Sequence, residues 1–78
     1  MCRFCPVVMS LKVQFGQRVR FLRRAAGLSQ DELAEACGCS VETISFIERG
    51  VHGPRFDLLS RLAAALRVPV FELFRFSS

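Results

Sequence analysis

The 78 residues carry a formal charge of +4, from eleven Lys and Arg against seven Asp and Glu, and 51% of them are hydrophobic. A chain this short makes one small domain that buries only about 60% of its unfolded surface, so the high apolar content asks for a partner, most simply a second copy. No apolar run approaches the ~20 residues that cross a bilayer, and the Cys2–Met9 stretch is too short for a signal peptide, so the expected place is the cytoplasm with reduced thiols.

In chain order, residues 1–9 are expected to be a flexible N-terminal extension and residues 10–76 the domain; Met9-Ser10 would also make a natural start. Ser10 is a plausible N-cap for a first helix running from about Leu11 to Ala26. Its inner stripe is Leu11, Phe15, Val19, Leu22 and Ala26, with Arg20 and Arg24 opposite. Lys12, Arg18, Arg20, Arg23 and Arg24 fall within thirteen residues that hold no acid. Such a run suits a polyanion, although basic helix faces are often merely solvated. Gly27 then follows where a helix end wants a left-handed residue.

Ser29 caps the second helix, and Glu32 completes a capping box. Asp31, Glu32 and Glu35 load its first turns with charge that suits the helix dipole. From Gln30 to Arg49 the chain reads as two short helical patterns joined by the turn Gly38-Cys39-Ser40. Gly38 supplies the left-handed turn position, and Ala34 is the small residue that a close helix crossing needs. This is a helix-turn-helix pattern, and a helix presented in this way usually enters the DNA major groove.

Ser40 caps the third helix, with Thr43 a poor box partner. Ile44 and Ile47 point inward, Cys39 and Val41 lie at the margin, and Glu42, Ser45, Phe46 and Arg49 face out. Gly50 ends this helix, and Val51–Pro54 is a loop. The fourth helix, Phe56–Leu66, is built on Phe56, Leu59, Leu62, Ala63 and Leu66. A short fifth helix is expected from about Pro69 to Phe74, with proline at its opening position. No strand signal competes. The fold class is all-α, a compact five-helix bundle whose helices 2 and 3 form the helix-turn-helix.

With these residues placed, Phe15–Phe74 resembles the Cro/CI-like (XRE-type) helix-turn-helix family, the lambda-repressor-like domain. The matching stretches are FGQRVRFLRR, AGLSQDELAEACGCS, TISFIERG and LLSRLAAALRVPVFELF. The size and the FGQRVR opening also resemble restriction–modification controller proteins. The resemblance implies phosphate-facing roles for Gln30, Ser40, Ser45, Arg49 and Arg55, and base-facing roles for Val41, Glu42, Thr43 and Phe46. It also implies an internal ion pair between Arg23 and Glu48. Three positions depart from the family's pattern. Phe46 stands where a polar or basic base reader is common, Glu42 repels phosphates if misplaced, and Arg67 replaces a glycine.

Other constellations point away from catalysis. Cys2-x-x-Cys5 and Cys37-x-Cys39 form a conceivable Cys₄ zinc set, but the second pair lacks the usual spacing and stands at small core positions. No metal and no cofactor are expected, and no small-molecule ligand is evident. His52 reads as a solvated loop residue or a phosphate contact. There is no Gly-rich phosphate loop and no nucleophile–base arrangement, so the chain is not expected to be an enzyme.

Phe15, Phe56 and Phe74 are expected in the core, and Phe21 on the basic face of the first helix. Leu58, Val70, Phe71 and Phe76 form an expected apolar dimer seam. The function these readings imply is a sequence-specific DNA-binding transcriptional regulator, a homodimer on a two-fold symmetric operator. A helix-turn-helix antitoxin fits as well. The alternative is a protein-interaction module that kept this fold and lost base readout.

Overall fold

The computed structural model describes residues 11–76. The expected 1–9 extension, the Ser10 cap and the Cys2–Cys5 pair lie outside the described residues. Four α-helices follow in order: α1 Leu11–Ala25, α2 Gln30–Cys37, α3 Val41–Glu48 and α4 Phe56–Leu66. The expected fifth α-helix is instead a 3₁₀ turn, Val70–Phe74. Pro69 takes the extended conformation of a cap rather than the first helical position, and its carbonyl accepts from the Glu72 N–H at 3.0 Å. Five residues are too few to repay nucleation of an α-helix, and the tighter i→i+3 bond closes first.

The core draws on every element. Phe15 and Val19 of α1, Leu33, Ala34 and Cys37 of α2, Ile44 and Ile47 of α3, and Leu62, Ala63 and Leu66 of α4 are buried together with Leu73. Helix α2 packs against α3 and α4, α1 packs against α3, and the 3₁₀ turn lies on both α1 and α4.

Four expected core positions differ. Leu11 is exposed, and Ala26 lies past the end of α1 and is also exposed. Phe56 is 87% exposed. It is the first residue of α4, and helical side chains lean toward the N-terminus, so its ring overshoots the core that Leu62 and Leu66 reach. Phe74 remains 39% exposed, covering Phe15 at a ring separation of 5.2 Å. Leu73 fills the core in its stead, because a 3₁₀ turn advances its side chains by a different angle from an α-helix.

Arg67 ends α4 in the left-handed conformation, φ 61°, where a side chain costs about 1–2 kcal/mol relative to glycine. Gly16 has a different reason for being glycine. A Cβ there would lie 2.2 Å from the Ile47 carbonyl oxygen and 2.9 Å from that of Glu48, so the backbones of α1 and α3 touch at this point. Backbone cannot swing aside as a side chain can. Gly16→Ala must push α1 away from α3 at a cost of roughly 3 kcal/mol, at the upper end for overpacked cores. At about 4–8 °C per kcal/mol, the thermal midpoint should fall by more than about 10 °C. A shift within a few degrees would mean that the two helices are not in backbone contact.

Candidate nucleic-acid interface

Local chemistry fixes how α3 is presented. Ser29 Oγ accepts from the Glu32 N–H at 3.0 Å, and Glu32 Oε1 accepts from the Ser29 N–H at 2.8 Å, closing the capping box of α2. At the other end Gly38 is left-handed, φ 72°, and the Cys39 N–H turns back to the Ala34 carbonyl at 3.0 Å. Arg61 of α4 reaches the Cys37 carbonyl at 3.5 Å, a further partner for a helix end whose carbonyls lack intrahelical donors. Ser40 then caps α3, with its Oγ accepting from the Thr43 N–H at 3.2 Å. The Thr43 and Ser40 hydroxyls also share a hydrogen bond at 2.9 Å.

A buried ion pair holds the far end of α3. Arg23 Nε donates to Glu48 Oε2 at 2.6 Å and Nη2 to Oε1 at 3.2 Å, with the residues only 8% and 6% exposed. Arg23 Nη1 also donates to the Leu28 carbonyl at 2.8 Å, and Gln30 Nε2 donates to Glu48 Oε1 at 3.0 Å. The end of α1, the α1–α2 loop, the start of α2 and the end of α3 therefore meet at one ion pair.

The outward face of α3 is left free. Val41, Glu42 and Phe46 are exposed, and Thr43 and Ser45 are half-buried. The Arg49 guanidinium lies 5.2 Å from the Phe46 ring centroid, and Arg49 Nε leans on the Ser45 carbonyl at 3.4 Å. His52 meets the same ring edge-on at 5.3 Å, so it is more than a solvated loop residue. Arg55 is exposed at the start of α4 and makes no capping bond through its side chain. Between α3 and α4 lies a cleft of 380 Å³ lined by Ile47, Leu58, Phe46, His52, Arg55 and Arg61 among others.

Other candidate residues are dispersed. Leu58 is half-buried in this cleft, and Phe76 is half-buried with its ring 6.3 Å from Phe74. Val70 and Phe71 stay exposed, so they are the open part of the expected apolar seam. Cys37 is buried in the core, and burial, reinforced by Cys39 and opposed by Arg61, pushes its thiol up to about 11. Such a thiol is inert at neutral pH.

Sequence reasoning missed one clamp. Arg18 Nη2 donates to Glu72 Oε1 at 2.9 Å, and its Nε donates to the Glu72 carbonyl at 2.9 Å, pinning the 3₁₀ turn to α1. Glu72 is the only acid after Asp57, which was the available signal.

The helix-turn-helix family HTH_3 matches residues 19–73. The chain belongs to the Cro/CI-like (XRE-type) helix-turn-helix family. That family comprises DNA-binding transcriptional regulators and not enzymes. The chain is 48% identical over 60 residues to the HTH-type transcriptional regulator RghRB of Bacillus subtilis, covering 76% of this chain and 43% of RghRB. It thus spans less than half of that relative. The restriction–modification controller protein C.AhdI from Aeromonas hydrophila superposes with a TM-score of 0.79 at 41% identity, covering 81% of this chain and 96% of C.AhdI. SinR, a master regulator for biofilm formation solved in complex with DNA, gives a TM-score of 0.74 at 35% identity, covering 78% of this chain and 98% of SinR. Among the described residues, no helix of this helix-turn-helix chain is long and apolar enough to cross a membrane.

The Arg23–Glu48 geometry makes a testable statement. Removing one partner strands a buried charge, at a cost of about 3–5 kcal/mol, whereas an apolar pair leaves none stranded. Arg23→Met and Glu48→Leu should each lower the urea midpoint more than the double variant does. Additive losses in the cycle would mean that the two charges do not depend on each other.

Proposed function

We propose that this chain is a sequence-specific DNA-binding transcriptional regulator, cytoplasmic, acting as a homodimer on a two-fold symmetric operator. The observation that carries the reading is α3 itself. It is capped by Ser40, locked at Glu48 and left open on the face of Val41, Glu42, Thr43 and Phe46. A helix held at both ends and bare on one side suits a major groove. SinR, similar in fold and solved on DNA, supports the same use.

Phosphate anchoring falls to Gln30, Ser40, Ser45, Arg49 and Arg55. Gln30 suits this although its amide already bonds Glu48, because an amide NH₂ carries two donors and one suffices for the carboxylate. The other is then offered to a phosphate from a side chain that the buried pair holds still. Phosphate contacts carry no sequence code. Gln30→Ala and Arg55→Ala should therefore weaken binding to every duplex by similar factors in gel-shift titrations, and wild-type affinity should fall steeply as salt rises. A change of preferred site at unchanged affinity would overturn the anchoring role. A wild-type protein that shifts no duplex from a random library would overturn DNA binding and favour the protein-interaction reading.

The homodimer rests on exposed Val70 and Phe71 at the C-terminal turn, Phe71 being 67% exposed. Symmetric operators need recognition helices about one DNA turn (~34 Å) apart, which a two-fold axis supplies. Phe71→Glu should yield monomers in sedimentation and weaken operator binding with helix content unchanged. A wild type that stays monomeric at tens of micromolar would overturn the dimer, and an unchanged mutant dimer would move the seam elsewhere.

A further inference from the structure

The reading face of α3 lacks the usual base readers. Its sequence, VETISFIE, contains no Asn, Gln, Lys or Arg, the side chains that grip adenine or guanine with paired hydrogen bonds. The Thr43 hydroxyl, joined to Ser40 Oγ at 2.9 Å, is a single group that cannot make the paired bonds that discriminate bases. Glu42 can only accept, which limits it to the cytosine amino group. Within the helix only Ser45 remains besides the apolar Val41 and Phe46, with Arg49 just past its end, and the largest apolar group is Phe46.

That ring is also held in place. Arg49 lies over it at 5.2 Å, and His52 closes on it edge-on at 5.3 Å, so two neighbours from the end of α3 and the following loop restrict its rotamers. Phe46 nevertheless stays 37% exposed. A preorganised apolar group loses little entropy when it makes a contact. The arginine beside it sets a positive charge next to the ring, on the side of the helix that would face a phosphate-lined groove. The major groove offers one apolar feature for such a ring, the 5-methyl group of thymine.

We infer that Phe46, clamped between Arg49 and His52, is a specificity-determining residue that reads the 5-methyl group of one thymine in each half-site. This rests on the DNA-binding reading above and adds the chemical feature that is recognised. Burying one methyl group is worth roughly a fourfold change in affinity.

The test uses the tightest duplex selected from a random library by the full chain. Each thymine in turn is replaced by deoxyuridine, which removes the methyl and leaves the pairing edge intact. The expected result is one position per half-site where deoxyuridine weakens binding about fourfold. In Phe46→Ala that penalty vanishes at that position, while in Phe46→Leu, which keeps an apolar contact, part of it survives. Circular dichroism checks that both variants fold, and the Leu variant keeps the test decisive if the Ala variant does not. Binding with no deoxyuridine penalty, or a penalty unchanged in both variants, overturns the methyl reading and leaves DNA binding standing. Failure of the wild type to bind any selected duplex overturns both.

Discussion

The guanidinium of Arg23 lies where the end of α1, the α1–α2 loop, the start of α2 and the end of α3 converge, and the orientation of the helix-turn-helix depends on it. Its nitrogens satisfy both Glu48 carboxylate oxygens and the Leu28 carbonyl, while Gln30 adds a donor to the same carboxylate. A buried pair of this kind is rarely a net source of stability, since desolvating both charges costs several kcal/mol each. Its value is geometric. Apolar packing alone would let α3 slide or rotate by a fraction of a turn against α1, whereas a bidentate fork tolerates little displacement.

The backbone contact at Gly16 serves the same end. With no side chain there, α1 approaches the carbonyls of Ile47 and Glu48 closely enough for Arg23, two helical turns on, to reach Glu48. Both devices act on the last turn of α3. The first turn is fixed separately by Ser40, through local bonds that need nothing from the rest of the chain. Orientation is thus set by long-range contacts at one end and by capping at the other, and the outward face is free of structural duty.

This division explains what was legible in the sequence. The bounds of α2 and α3 could be read closely because Ser29, Glu32, Gly38 and Ser40 act within four residues of their partners. The α1–α3 contact at Gly16 could not, since its reason lies in backbone more than thirty residues away. The Arg18–Glu72 clamp spans 54 residues, and Arg18 read as one more cation in a basic run. Phe56 and Phe74 were misplaced for a shared reason. Periodicity assigns a face but not how far along an element the core extends, nor whether the element is α or 3₁₀. The Arg23–Glu48 pair was legible only through family resemblance, and nothing in the residues pointed to the His52–Phe46 contact.

The same structure changes the meaning of the basic run in α1. Arg23 is spent on Glu48 and Arg18 on Glu72, so the run contributes less to a polyanion surface than its composition suggests. Beside α3, the exposed cations that remain are Arg49, Arg55 and Arg61, the last of them leaning on the Cys37 carbonyl. Affinity for duplex grows with the number of phosphates neutralised, so a single domain with few cations at its reading helix gains little from counterion release. Pairing of two domains doubles those contacts without adding a charge to either. An apolar reading residue suits that economy, because it adds discrimination where further arginines would mainly add affinity for any sequence. On the proposed reading, a methyl-reading residue on α3 and a seam at the C-terminal turn are therefore complementary parts of one solution.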